Sequence, residues 1–518
     1  MSFVYPQQVT ASFEFYRSEL FHDVQMAALF DDSKTFADVV PKDDLSAIIK
    51  QYLVEKEQID FDLKTFVLRH FVLPEHVELG ADSRCEKVEQ QIELLWQILK
   101  KPADKDLVSS LLPLKNPYSV PGGRFREIYY WDSYFTALGL MASGRENDVL
   151  DMINNFIDLQ EQLNVIPNGN RSYYFSRSQP PILALLISLV LERNKIQNGQ
   201  TSAQSTEELK RFATALEKEY QFWMSGHADL SEANPSNKRV VRMADGEMLN
   251  RYWDNESGPR PESYLEDIEL AEKVLPSLRP LFYRNIRAAC ESGWDFSSRW
   301  MADPESLFSI KTTQIVPVDL NVLLFKLEQT LAVLHGRFDD VDNKQVYEQK
   351  ALVRKNAINK YLWNVEKAFY FDFDLEHNKL SEVWSLAGIT PMFAEFCSES
   401  QASHLQHHLE TQFLQTGGLV TTLTPSKQQW DSPNGWAPLH WFAVHGLRLY
   451  GFKELAARIV DSWLLTVESY YQKTGKLMEK YDVCEPDVVA TGGEYEVQDG
   501  FGWTNGITKV FYQLKHSR

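Results

Sequence analysis

The chain runs to 518 residues with a net charge of −19, 44% hydrophobic and 24% charged residues. That acidic balance, with no basic run, excludes nucleic acid and an anionic membrane surface as partners. Aromatic residues make up 13%, including 13 Trp, a surplus that serves either a large core or the stacking of flat faces such as sugar rings.

In chain order, Met1 to Pro6 show no basic stretch, apolar stretch or cleavage site of an export leader. Cys85, Cys290, Cys397 and Cys484 are far apart and match no metal spacing, so a reducing cytoplasm is the expected compartment. Residues 1–60 read as a lead-in packed on the rest. No Gly/Ser linker, low-complexity tract or charge block interrupts 61–518, and one continuous body is expected there. Residues 89–99 place apolar groups at i, i+3 and i+4, which predicts an amphipathic helix. Similar spacing recurs over 148–163, 207–223, 320–334 and 453–471. The run 181–191 follows two prolines and is apolar almost all round, a helix buried on every side yet too short to span a bilayer. Amphipathic helices alternating with buried ones imply a double-layered helical ring. Strand signals are few. Residues 368–374 alternate with period two, which predicts a hairpin whose Asp372 and Asp374 face solvent.

Between these helices lie segments rich in glycine, aromatics and charge, where a rigid scaffold gathers function. Residues 121–134 open with Gly122 and Gly123 and carry Arg124, Phe125, Tyr129, Trp131 and Asp132. That is too much charge to bury without partners, so the segment reads as the wall of a cleft. Residues 166–181 (with Asn168, Arg177, Ser178 and Gln179), 260–264 (Arg260, Glu262), 293–300 (Gly293, Asp295), 429–438 and 492–506 (Glu494) share its make-up. No HExxH zinc helix, P-loop or GxSxG elbow occurs. His404 and His408, four apart, read as a solvated helix face rather than a metal pair. No metal or cofactor is expected. Carboxylate, arginine and indole remain, the inventory for cleaving a glycosidic bond between two carboxyl groups.

Segments 121–134 and 429–438 match throughout the two signatures by which trehalases are identified. The Arg177-Ser178-Gln179, Arg260-Pro261-Glu262 and Gly492-Gly493-Glu494-Tyr495 segments resemble trehalase counterparts in the same order. Two long signatures matching together are far more specific than one short motif. The resemblance implies an all-α (α/α)6 barrel that hydrolyses α,α-trehalose with inversion, yielding one α- and one β-glucose. It also implies Asp295 as general acid and Glu494 as general base. Sugar contacts would come from Arg124, Trp131, Asp132, Asn168, Arg177, Ser178, Gln179, Arg260, Glu262 and Gly293, with Phe125 and Tyr129 lining the pocket. Secreted bacterial trehalases begin with an export signal, so the expected member is a cytoplasmic bacterial one, a monomer whose partner is trehalose.

Residue chemistry bears on those roles independently. Trp294 and Phe296 flank Asp295 and would disfavour its charged form, as an acid that keeps its proton requires; an aspartate capping the next helix is the alternative. Two glycines before Glu494 would let its carboxylate approach water, against the plainer reading of an exposed loop glutamate. Inversion asks for about 6.5–9.5 Å between the carboxyl groups. Three arginines can donate to hydroxyls and hold neighbouring carboxylates ionised. The competing readings are a related barrel glucosidase acting on another α-glucoside, a catalytically silent sugar binder, and a phosphorolytic enzyme. The pair of candidate carboxylates argues against the second, and Glu494 against the third.

Overall fold

The computed structural model describes residues 7–75, 84–105, 109–197, 205–490 and 492–518; Met1 to Pro6, on which the leader reading rests, lie outside them. Four helices fall within residues 1–60, α1 (Gln7–Tyr16), α2 (Glu19–Met26), α3 (Ser33–Ala37) and α4 (Leu45–Glu55), and α5 (Leu63–His70) follows them. Ser18, Asp32, Asp44 and Asp62 cap α2 to α5, each accepting a first-turn backbone N–H that would otherwise be orphaned. Phe15, Phe21, Phe36, Phe66 and Phe71 belong to a separate aromatic core, which also takes in Tyr129, Tyr173 and Tyr174 of the main body.

The main body continues with α6 (Val88–Ile98), α7 (Tyr130–Ala142), α8 (Glu146–Leu163), α9 (Leu183–Gln197) and α10 (Thr206–Trp223). Then come α11 (Tyr264–Ala271), α12 (Arg279–Ser292), α13 (Val318–Arg337), α14 (Val341–Tyr361) and α15 (Thr390–Phe393), followed by α16 (Glu399–His408), α17 (Ala437–Leu449), α18 (Lys453–Thr474) and α19 (Gly502–His516). Helices α7, α9, α13, α15, α17 and α19 touch one another in that order, and α19 returns to α7, closing an inner ring. The outer helices α6, α8, α10, α14, α16 and α18 alternate with them along the chain. This is the (α/α)6 barrel. Sequence explains the layers: α10 buries one stripe, Leu209, Phe212, Ala213, Leu216 and Trp223, whereas α7 buries every residue but Ala142. The ring closes tightly because α7 and α19 meet at Gly139 and Gly506. A Cβ on Gly139 would stand 2.3 Å from the Gly506 Cα, so only glycine permits the approach.

The hairpin expectation holds at its far end, where Phe373–Asp374 pairs antiparallel with Lys379–Leu380 across residues 375–378, and needs correction elsewhere. Residues 368–374 are not one ribbon: Phe369–Tyr370 pairs with Trp363–Asn364, while Phe373–Asp374 pairs with Lys379–Leu380 and Ile315–Val316. Asp372 and Asp374 are buried rather than solvent-facing, because Arg299 and Lys311 reach them. Alternation cannot distinguish water from a buried cation. His404 is exposed, and His408 turns to the Lys367 carbonyl. Among the described residues no helix is long and apolar enough to cross a membrane.

Candidate active site

The segments between helices converge on one cavity, whose empty space together with the open solvent at its mouth is about 690 Å³. Arg124, Phe125, Tyr129, Trp131, Asp132, Asn168, Arg177, Gln179, Arg260, Glu262, Gly293, Asp295 and Glu494 all line it. Ser178 does not. It sits behind the wall, where its hydroxyl donates to the Ile166 carbonyl and its N–H to Glu291.

Local structure sets each group. Trp131 and Asp132 occupy the first turn of α7, where the side-chain amide oxygen of Gln179 accepts the Trp131 backbone N–H at 2.9 Å. Gly293 ends α12 in the left-handed region (φ 75°), and a Cβ there would press on Trp131 at 3.2 Å. Asp295 follows directly. It is not a helix cap: Ser297 caps the short turn Ser298–Trp300. Beside it stands an indole wall, with Trp430 and Trp436 parallel at 4.0 Å and Trp294 stacked on Trp430 at 5.3 Å.

Each arginine of the cavity is held by carboxylates. Arg124 grips Asp32 through two bonds of 2.9 and 2.7 Å. Arg177 donates to Glu262 at 2.7 Å and to Asn168 at 3.0 Å. Arg260 clamps Asp267 at 2.6 Å and reaches both Glu494 oxygens at 3.0 and 3.1 Å. Against the cost of burial, Arg177 and Arg260 hold the Glu262 carboxyl below its usual range.

Other carboxyls move the opposite way. Burial pushes Asp295 up to about 7, with Arg260 opposing and the Glu494 charge reinforcing. Burial also raises Asp132 to about 8, helped by Asp295 and Glu479. Glu494 rises through burial against Arg260.

Several residues escaped the sequence reading. Tyr174, Ser263, Cys290, Trp430, Trp436, Tyr495, Phe501 and Trp503 also line the cavity; most are near chain neighbours of residues that were expected there. Glu479 is different. It lies between Met478 and the strand Lys480–Asp482, 1% exposed, and neither carboxyl oxygen has a hydrogen-bond partner. Burial raises its carboxyl, while Lys480 and Arg124 pull the other way. Its charge is felt by Asp132, Arg124 and Tyr495, all on the cavity wall. The one signal in sequence was a charged pair, Glu479-Lys480, inside an otherwise largely apolar run from Leu477 to Val483.

A family model described as trehalase matches residues 25–516. The periplasmic trehalases of Escherichia coli O1:K1 / APEC and of Escherichia coli O45:K1 (strain S88 / ExPEC) are each 45% identical over 496 residues, 96% of this chain and 86% of the relative. A neutral trehalase from Saccharomyces cerevisiae superimposes with a TM-score of 0.63 at 28% identity, covering 77% of this chain and 73% of that one. A GH63 mannosylglycerate hydrolase from Thermus thermophilus, in complex with Tris and D-glycerate, shares the fold alone: TM-score 0.54, 19% identity, 82% of this chain and 100% of that one. The periplasmic relatives overturn the cytoplasmic expectation. The cysteine argument behind it was weak physically, since thiols as buried as Cys290 and Cys397 remain free in either compartment.

Proposed function

Since this chain belongs to the trehalase family and hydrolyses trehalose to glucose, we propose that Asp295 is the general acid and Glu479 the general base of an inverting hydrolysis. The observation that carries the pairing is electrostatic. Two carboxyls beside one cavity repel each other's charge, so the cluster keeps a proton. Burial raises the Glu479 carboxyl while Lys480 and Arg124 favour its anion; in this reading Glu479 carries the charge and Asp295 the proton. Both Glu479 oxygens are free of protein donors, and thus able to accept from the attacking water. Asp295 then protonates the bridging oxygen as it leaves, and Glu479 takes the proton of the water entering on the opposite face.

The remaining wall binds the two glucose units in this reading. A neutral Asp132 can both donate to and accept from a hydroxyl. Trp131 Nε1 and Glu262 Oε2 are buried without protein partners, available to sugar hydroxyls. The indoles offer flat faces to the rings. One chain supplies every proposed residue, so a monomer suffices, and the names of the relatives point to the periplasm.

Glu494 as base is the second reading, favoured by its place on the cavity wall. Against it, Arg260 donates to both its oxygens, whereas both Glu479 oxygens are without protein donors and free to accept from a water. Turnover by Asp295→Asn and Glu479→Gln should fall by about 10²–10⁴ with folding intact, while Glu494→Gln should act mainly on KM. Should Glu494→Gln match Asp295→Asn while Glu479→Gln stays active, the base is Glu494. Early anomer counts by NMR test inversion: equal α- and β-glucose agree with it, two α-glucoses rule it out.

A further inference from the structure

Segment 429–438 contributes indoles to the wall but no group to the chemistry above, although it matches a whole signature. Its first residue, Gln429, is 2% exposed and lies outside the cavity lining. The Gln429 amide N–H donates to the Asp295 carbonyl at 2.6 Å. The oxygen of the same amide accepts from Lys480 Nζ at 2.9 Å. Lys480 is the chain neighbour of Glu479 and sits on the strand that pairs with Asn434–Trp436, Trp436 opposite Lys480.

We propose that Gln429 is a positioning residue that fixes the spacing of Asp295 from Glu479, acting through the Asp295 carbonyl at one end and Lys480 at the other. The proposal rests on the acid–base reading above. An amide suits this place because it presents a donor and an acceptor on one rigid plane. Gln429 is itself pinned: its backbone carbonyl accepts from Trp436 Nε1 at 3.0 Å and Asn434 Nδ2 at 3.1 Å. Next in the chain, the Trp430 N–H donates to the Phe296 carbonyl at 3.0 Å, so two successive residues hold the acid's backbone. Lys480 extends the bridge to a third wall by donating to the Gly492 carbonyl at 2.7 Å, two residues before Glu494. The loop of the acid, the strand that follows the base and the loop of Glu494 thus meet at one amide–ammonium contact.

The test compares Gln429→Met, which keeps length but loses both bonds, with the parent, Asp295→Asn and Glu479→Gln. Turnover in Gln429→Met should fall by about 10- to 100-fold with KM within about threefold, the mark of misplaced reacting groups rather than lost substrate binding. The alkaline limb of the rate profile should move with it. Lys480→Met should cause a similar loss, and the double variant should lose no more than the worse single, because both act through one bridge. If Gln429→Met keeps turnover within about twofold while Asp295→Asn and Glu479→Gln are dead, the positioning role is wrong and the acid–base reading stands. Full activity in Asp295→Asn or Glu479→Gln overturns both. A loss confined to melting temperature, with turnover and pH profile unchanged, also overturns the proposal. Should circular dichroism find Gln429→Met unfolded, Gln429→Asn, one methylene too short to span both partners, is read on the same terms.

Discussion

Asp295 holds a proton near neutrality because its cavity leaves the charged form poorly solvated, burial outweighing the pull of Arg260. The rate kcat/KM should therefore decline as pH rises through about 7, as the acid empties. Stability carries the same titration. The folded carboxyl binds its proton more tightly than the unfolded one, so its stabilising share is full below the ordinary aspartate range and is lost as pH climbs towards about 7. Asp295→Asn removes that loss. Denaturant titrations should find the variant gaining on the parent by about 4 kcal/mol between roughly pH 4 and pH 8, with no gain at the acid end. A gain of equal size at both ends would mean that Asp295 is not neutral in the fold. Asp295 was legible in sequence because Trp294 and Phe296 adjoin it. Glu479 was not, because its lack of partners depends on residues remote in the chain.

At the scale of elements, the loops around the cavity are tied together by buried acceptors. Asp431 accepts from Ser297 Oγ at 2.9 Å, Ser298 N at 2.7 Å, Ser298 Oγ at 2.8 Å, Thr422 Oγ1 at 2.9 Å and Ser426 Oγ at 2.5 Å. It joins the loop after Asp295 to two neighbouring turns. Asp431→Ala would leave those donors buried without an acceptor, a cost of about 3 kcal/mol or more. Urea denaturation should register it, and turnover should drop as the Asp295 loop relaxes; a change within about 0.5 kcal/mol would show that water replaces the carboxylate. Helices were read well where one face is wet, as in α8 and α10. The inner helix α7 gave little periodicity because neighbours surround it on all sides.

Across the whole molecule, the lead-in reaches the cavity through charge. Lys34, 1% exposed, pairs with Asp38 at 2.5 Å and Glu127 at 2.8 Å. Arg171 closes the set at 3.1 Å to Asp38 and 2.8 Å to Glu127. Asp32, at the start of α3, holds Arg124 on the cavity wall. We propose that residues 1–60 and the barrel fold as one unit. Lys34→Met would strand two buried carboxylates with one cation fewer, a loss of about 3–5 kcal/mol. Thermal unfolding should remain a single transition at a lower temperature. A separate early transition of the lead-in would contradict the proposal.

By itself the sequence determined the alternation of helical layers and the set of segments that form the cavity wall, because periodicity and motif are properties of chain neighbours. Only the tertiary structure decided which carboxyls are clamped by arginine and which stand unpartnered. That choice turns on burial and on charges hundreds of residues apart, such as Arg260 on Glu494 and Arg124 near Glu479, and no local run of residues records it.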